Sequence, residues 1–197
     1  MQLEYKIGDC IKLLGDIPDK SVDLILTDLS EMGMQINMGK LLEQYKRVIK
    51  NNRVIILISK QPLTSMLIMN NLNMFKQEYV WVKNKGNSLI NSRDCVSVLV
   101  FSKDNQWNQN DIDPDQKAFN FYEYAIKTYT NEGDLVHDSC LGSGTVLEVC
   151  QSINRDCLGF DGKDLWEQNY KNIIASKVPI KVDESQKDDA ETMELFA

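Results

Sequence analysis

Residues 134 to 161 constrain the fold of this chain more than any other stretch. Two short β-type runs, 134–137 and 156–160, bracket residues 146–153, whose apolar side chains recur at helical spacing. Between the first run and the helix lies Asp138-Ser139-Cys140-Leu141-Gly142-Ser143-Gly144-Thr145. Glycines at such a turn let the backbone approach a ligand closely, and the helix N-terminus offers unpaired N–H groups. The second run ends Gly159-Phe160-Asp161, and an acidic residue at that point commonly binds ribose hydroxyls. A glycine turn alone is weak evidence, since many strand–helix junctions have one. Turn and aspartate together point to a nucleoside cofactor, against the plainer reading of a tight turn and a surface carboxylate.

The same alternation extends along the chain. Further β-type runs occupy residues 3–7, 23–27, 54–59, 78–82 and 96–101, and helical spacing marks 39–49, 62–71, 119–129 and 165–175. Strands alternating with helices predict an α/β fold with a mostly parallel sheet and helices on both faces. Pro62 suits a helix start, while Asn51-Asn52 and Asn70-Asn71 read as helix ends or turns. Polar residues 102–115 read as a loop between two halves of the sheet. At 197 residues the chain fits one domain, placed at 1–180, followed by an acidic tail at 181–197 that is expected to be disordered.

No apolar run approaches the ~20 residues of a membrane helix and no signal peptide is visible, so the expectation is a cytoplasmic protein without a membrane partner. Five scattered cysteines without a CxxC pair read as reduced thiols, and a single histidine argues against a zinc site; no metal is expected. The net charge of −7 lowers the expectation of duplex DNA binding, which draws affinity from neutralised phosphates. Lys46, Arg47, Lys50, Arg53, Lys83 and Lys85 could form local basic patches, although solvated surface is the plainer reading.

A family resemblance emerges from longer strings. Tyr124-Ala-Ile-Lys-Thr-Tyr-Thr-Asn-Glu-Gly-Asp-Leu-Val-His-Asp-Ser-Cys-Leu-Gly-Ser-Gly-Thr145 resembles motif I of prokaryotic and phage DNA adenine-N6 or cytosine-N4 methyltransferases. Asn154-Arg-Asp-Cys-Leu-Gly-Phe-Asp161 is similar to the family's acidic strand. Gly8-Asp9-Cys10 with Ile17-Pro-Asp-Lys-Ser-Val-Asp-Leu-Ile-Leu-Thr-Asp28 is similar to its GDC…IPDKSVDLILTDPPY segment. Ser59–Ser65 and Trp81–Gly86 also match. The catalytic segment precedes the cofactor segment, the circularly permuted order of the β-type group. The resemblance therefore implies a Rossmann-like methyltransferase fold dependent on S-adenosylmethionine. It implies that Asp138, Ser139, Cys140, Gly142, Ser143 and Gly144 wrap the methionine part, that Asp161 takes the ribose, and that Asp9 and Cys10 lie near the adenine. Lys117 falls in the family's HPTQKP segment beside the cofactor, where Asp113, Asp115 and Ala118 replace His, Thr and Pro; added carboxylates there should weaken binding. Ser139 stands where the family commonly has proline.

The larger departure is catalytic. The family uses DPPY to transfer a methyl group to an exocyclic amine: the Asp and a backbone carbonyl accept from the amine, prolines fix that carbonyl, and the aromatic stacks on the extruded base. Here the sequence is Asp28-Leu29-Ser30-Glu31. Asp28 is the one catalytic candidate retained. Leu29 and Ser30 should free the backbone, and Glu31 puts a charge where a base face would rest. Losing a positioned carbonyl and a stacking partner should each slow transfer about a hundredfold. The stretch that reads target DNA in relatives is also short here.

The expected function is thus a methyltransferase-like protein that binds S-adenosylmethionine, is catalytically impaired, and acts as a binding or regulatory partner, with a protein partner or a dimer plausible and DNA contact weakened. Alternatives are an active amino-methyltransferase with an unusual tetrapeptide, and a cofactor-free interaction protein. His137 could be a general base, but a core histidine satisfied by neighbours is the default. Tyr79 and Trp81 read as core, and Met32, Met34 and Met38 as a contact surface or an inward-packed helix. The ending Thr192-Met-Glu-Leu-Phe-Ala197 resembles the peptide with which DNA enzymes dock on bacterial sliding clamps, without its leading Gln.

Overall fold

The computed structural model describes residues 1–30, 37–82, 95–104, 121–165 and 167–176. Its strands are β1 (Leu3–Ile7), β2 (Val22–Asp28), β3 (Ile49–Ser59), β4 (Phe75–Val82), β5 (Cys95–Ser102), β6 (Leu135–Asp138) and β7 (Asp156–Asp161). The helices are α1 (Cys10–Leu14), α2 (Met38–Val48), α3 (Leu63–Met69), α4 (Phe121–Tyr129), α5 (Thr145–Ser152) and α6 (Glu167–Ala175). One seven-stranded sheet carries them in the order β1-β7-β6-β2-β3-β5-β4. Pairings from β1 through β3 are parallel; β5 runs antiparallel to both its neighbours. The expected mostly parallel α/β sheet is observed.

Strand alternation explains the two-sided cover. Successive side chains of a strand face opposite sides, and β2 sends Ile25 into one core while Leu24 and Leu26 enter the other. The first core gathers α1, α2 and α3 through Leu14, Leu41, Tyr45 and Leu67. The second gathers α4, α5 and α6 through Ile126, Leu147, Tyr170 and Ile173. A strand apolar on both faces is stable only when both are covered, which is why the runs read as nearly continuous Val, Ile and Leu.

Three local expectations are corrected. Asn51-Asn52 is not a helix end or turn: β3 runs through it, with Asn52 at φ +58°, a left-handed kink that asparagine tolerates better than most residues. Helix α3 is shorter than the 62–71 stretch, with Pro62 at its start and Asn70 at its end as the sequence suggests. Helix α1 has only five residues, too few for periodicity to show; Asp9 caps it by accepting from the Lys12 N–H at 3.0 Å.

The basic residues read as possible DNA contacts are largely engaged within the fold. Arg47 donates to Leu14 O and Ile17 O at 2.7 Å each and pairs with Asp19. Lys50 and Arg53 both pair with Asp23, which is 2% exposed. Lys83, Lys85, most of the loop 102–115 and the tail 181–197, including the clamp-like ending, lie outside the described residues. Among the described residues, no helix is long and apolar enough to cross a membrane.

Candidate cofactor pocket

The order β7-β6-β2-β3 contains a switch point. From β6 the chain passes through α5 to β7 on one side, while from β2 it passes through α2 to β3 on the other. Ligands of open α/β sheets bind in the crevice that such a reversal opens at the carboxyl ends of the strands. Those ends carry Asp28 on β2, Asp138 on β6 and Asp161 on β7. All three line one pocket of about 510 Å³, with Tyr122, Cys140, Leu141, Gly142, Ser143 and Lys163 among its other walls.

Its floor is the glycine loop. Gly142 (φ +51°) and Gly144 (φ +94°) occupy left-handed conformations strained for other residues, and a Cβ on Gly144 would also stand 2.9 Å from Ile173 Cδ1. Gly159 lets Leu141 lie against β7; a Cβ there would overlap the leucine side chain. Asp161 ties the loop down. Its Oδ2 accepts from Gly142 N–H and from the Tyr170 hydroxyl, each at 3.0 Å, and its Oδ1 from Lys163 N–H at 2.9 Å. The Tyr170 hydroxyl also contacts Gly142 O at 2.6 Å.

Asp138 is 2% exposed, and burial, reinforced by the charges of Asp28 and Asp161, pushes its carboxyl up to about 7 despite an N–H from Cys140 at 2.9 Å. At neutral pH it stands poised to lose its proton to a cationic ligand. Burial also raises the Cys140 thiol, so that it remains uncharged.

Ser139 and His137 face inward. The histidine is fully buried, with Nδ1 at 2.7 Å from Leu158 O and Nε2 at 2.8 Å from Ser139 Oγ. The carbonyl fixes Nδ1 as donor, so the Ser139 hydroxyl donates to Nε2. Phe160 meets the ring edge-on at 4.7 Å, and burial lowers the imidazole to about 4. His137 is the satisfied core histidine expected by default. Ser139 N–H donates to Thr27 Oγ1 at 3.1 Å, joining β6 to β2 beneath the pocket.

The residues expected near the adenine sit differently. Cys10 is buried in the first core and the Asp9 carboxylate caps α1; neither lines the pocket. They border it through the backbone, since Gly8 N–H donates to Asp161 O at 2.8 Å. Lys117 and Glu31, with Met32 and Met34, lie outside the described residues; Met38 and Tyr79 are buried, as an inward-packed reading requires. Of Trp81 only the backbone is described, paired with Val96.

The peptide after Asp28 is a correction. Leu29 and Ser30 do not free the backbone. Leu29 is fully buried and its N–H donates to Ile58 O at 2.8 Å, extending the β2–β3 ladder; Ser30 N–H donates to Asp28 Oδ1 at 2.8 Å. Hydrogen bonds hold this turn where prolines would restrict φ. Tyr122, which no motif singles out, lines the same pocket as Asp28 from the first turn of α4.

The sheet order and its switch point give a Rossmann-like fold, the one seen in solved DNA methyltransferases. TTHA0409 of Thermus thermophilus, solved with S-adenosyl-L-methionine, superposes with a TM-score of 0.72 at 16% identity, covering 92% of this chain and 98% of that one. The cytosine-N4-specific PvuII DNA methyltransferase gives 0.65 at 15% identity over 96% and 92%. In sequence, residues 94–174 match the family model described as DNA methylase, that of the N6/N4 enzymes. Type II methyltransferase M.HpaI of Haemophilus parainfluenzae is 31% identical over 108 residues, 54% of this chain. Over these residues the chain is similar to DNA N6/N4 methyltransferases, and it spans about a third (33%) of the length of M.HpaI.

Proposed function

We propose that this chain binds S-adenosylmethionine in the pocket at the β6–β2 switch point and is a DNA amino-methyltransferase-like protein with impaired transfer, serving as a binding or regulatory partner. The observation that carries this reading is the convergence of Asp28, Asp138, Asp161 and the Gly142–Gly144 loop on one pocket, with Leu29 and Ser30 following Asp28. Bound there, the cofactor would supply an electrophilic methyl group. The protein's own part is to seat it. Asp161 offers carboxylate oxygens toward ribose hydroxyls, the loop N–H groups and the start of α5 receive the carboxylate of the methionine part, and Asp138 pairs with its ammonium. That TTHA0409 was solved with this ligand supports the assignment.

Impairment follows from what surrounds Asp28. Its carboxylate can accept from an amine, but Ser30 N–H already holds Oδ1, and no aromatic closely follows it in sequence. A second reading, an active enzyme, is favoured by one observation: the turn after Asp28 is fixed by hydrogen bonds, so an acceptor geometry survives without prolines.

Calorimetry with S-adenosylmethionine and a labelled-methyl assay on single- and double-stranded DNA test these readings together. Saturable binding with transfer at least about a hundredfold below an active enzyme is expected. Robust turnover at catalytic protein concentrations establishes the active reading, and no binding leaves a cofactor-free interaction protein.

A further inference from the structure

Tyr122 shares the pocket with Asp28 and Asp138 but belongs to none of the motifs. It projects from the first turn of α4, half-buried, its ring edge-on to Phe121 at 5.7 Å and 70°. Because α4 packs against β2, the hydroxyl reaches Asp28 and hydrogen-bonds it, and the charge of Asp138 acts on the same group. Burial and these two carboxylates raise the phenol well above its ordinary range, so it stays protonated and donates. A donating hydroxyl still has lone pairs to offer. Among the described residues, three carboxylates and a single lysine, Lys163, line the pocket. Asp161 is tied to the loop by Gly142, Tyr170 and the Lys163 amide, whereas Asp28 and Asp138 are the carboxyls that act on the Tyr122 hydroxyl.

We propose that Tyr122 and Asp28, beside Asp138, form a cation-reading end of the pocket, in which Tyr122 makes the site prefer the positively charged sulfonium cofactor over its neutral thioether product. The inference rests on the cofactor reading above. A sulfonium is attracted to nearby carboxylates in a partly buried site, and its polarised methyl C–H groups favour an oxygen lone pair; a thioether has neither attraction. Tyr122 would thus bias the protein toward holding the loaded cofactor and releasing the spent one.

Calorimetry of the full chain with S-adenosylmethionine and S-adenosylhomocysteine tests this, before and after Tyr122→Phe, which removes only the hydroxyl. The wild type should favour the sulfonium ligand. Tyr122→Phe should weaken it about three- to tenfold while changing the thioether less than about twofold. An analogue with an amine in place of the sulfonium should follow the sulfonium, an arm that needs no variant. Equal wild-type affinity for the two ligands, or equal weakening of both by Tyr122→Phe, overturns the inference while the cofactor reading stands. A wild-type chain that binds neither overturns both.

Discussion

Asp138 and His137 are neighbours in sequence whose ionisation pulls stability in opposite directions. The native Asp138 carboxyl keeps its proton up to about 7, against an ordinary value of 3.8, so its contribution is fully present below 3.8 and is lost as pH rises through 7. His137 is lowered from 6.5 to about 4, so its contribution is present above 6.5 and lost as pH falls through 4. Between those limits the two slopes oppose each other. Asp138→Asn removes one of them while an amide oxygen can still accept from Cys140. Urea unfolding should show the variant gaining on wild type between about pH 4.5 and about pH 8 by on the order of 3 kcal/mol; a difference independent of pH would contradict the burial of a protonated carboxyl. At position 29, proline would lose both a buried side chain and the N–H to Ile58 O. Leu29→Pro should therefore cost about 3 kcal/mol or more, read as a lower urea midpoint. Copying the family tetrapeptide into this chain is thus no neutral graft.

Among the elements, the unit from β6 to β7 is held by contacts that only glycine permits. Gly159→Ala would press on Leu141 and tilt the loop that Asp161 secures. A stability loss of about 1–3 kcal/mol is expected, with weaker cofactor binding in calorimetry; unchanged values for both would show that the loop does not depend on this contact. This unit was the part most legible in the sequence, because glycine, helix spacing and a terminal acid are local signals. Legibility failed where tertiary contacts decided. The start of β3 looked like a turn because asparagines are common in turns, yet Val22 pairs with Ile49 and draws the strand back past Asn52. Helix α1 exists because Asp9 caps it and Leu14 packs inside, neither of which leaves a periodic trace over five residues.

At the scale of the whole molecule, Asp23 shows how the sheet is fastened at the end away from the pocket. It joins Lys50 and Arg53 of β3 and accepts from the Leu135 N–H of β6 at 3.1 Å, while Arg53 also reaches Asp134. This clamp ties β6, β2 and β3 together at one end of the sheet, while Asp28 and Asp138 line the pocket at the other. Asp28, Asp138 and Asp161, which the family resemblance singles out, line one pocket because neighbouring parallel strands bring their carboxyl ends together. The sequence did not foretell Tyr122, whose approach to Asp28 depends on how α4 packs against β2, nor the inward turn of Ser139. The most direct test of the account is calorimetric titration of the purified chain with S-adenosylmethionine, repeated on Asp161→Ala. One saturable site is expected in the wild type, weakened at least about tenfold in the variant as the loop anchor and the proposed ribose partner are lost. No saturable heat in the wild type, or equal affinity in the two proteins, would contradict the account.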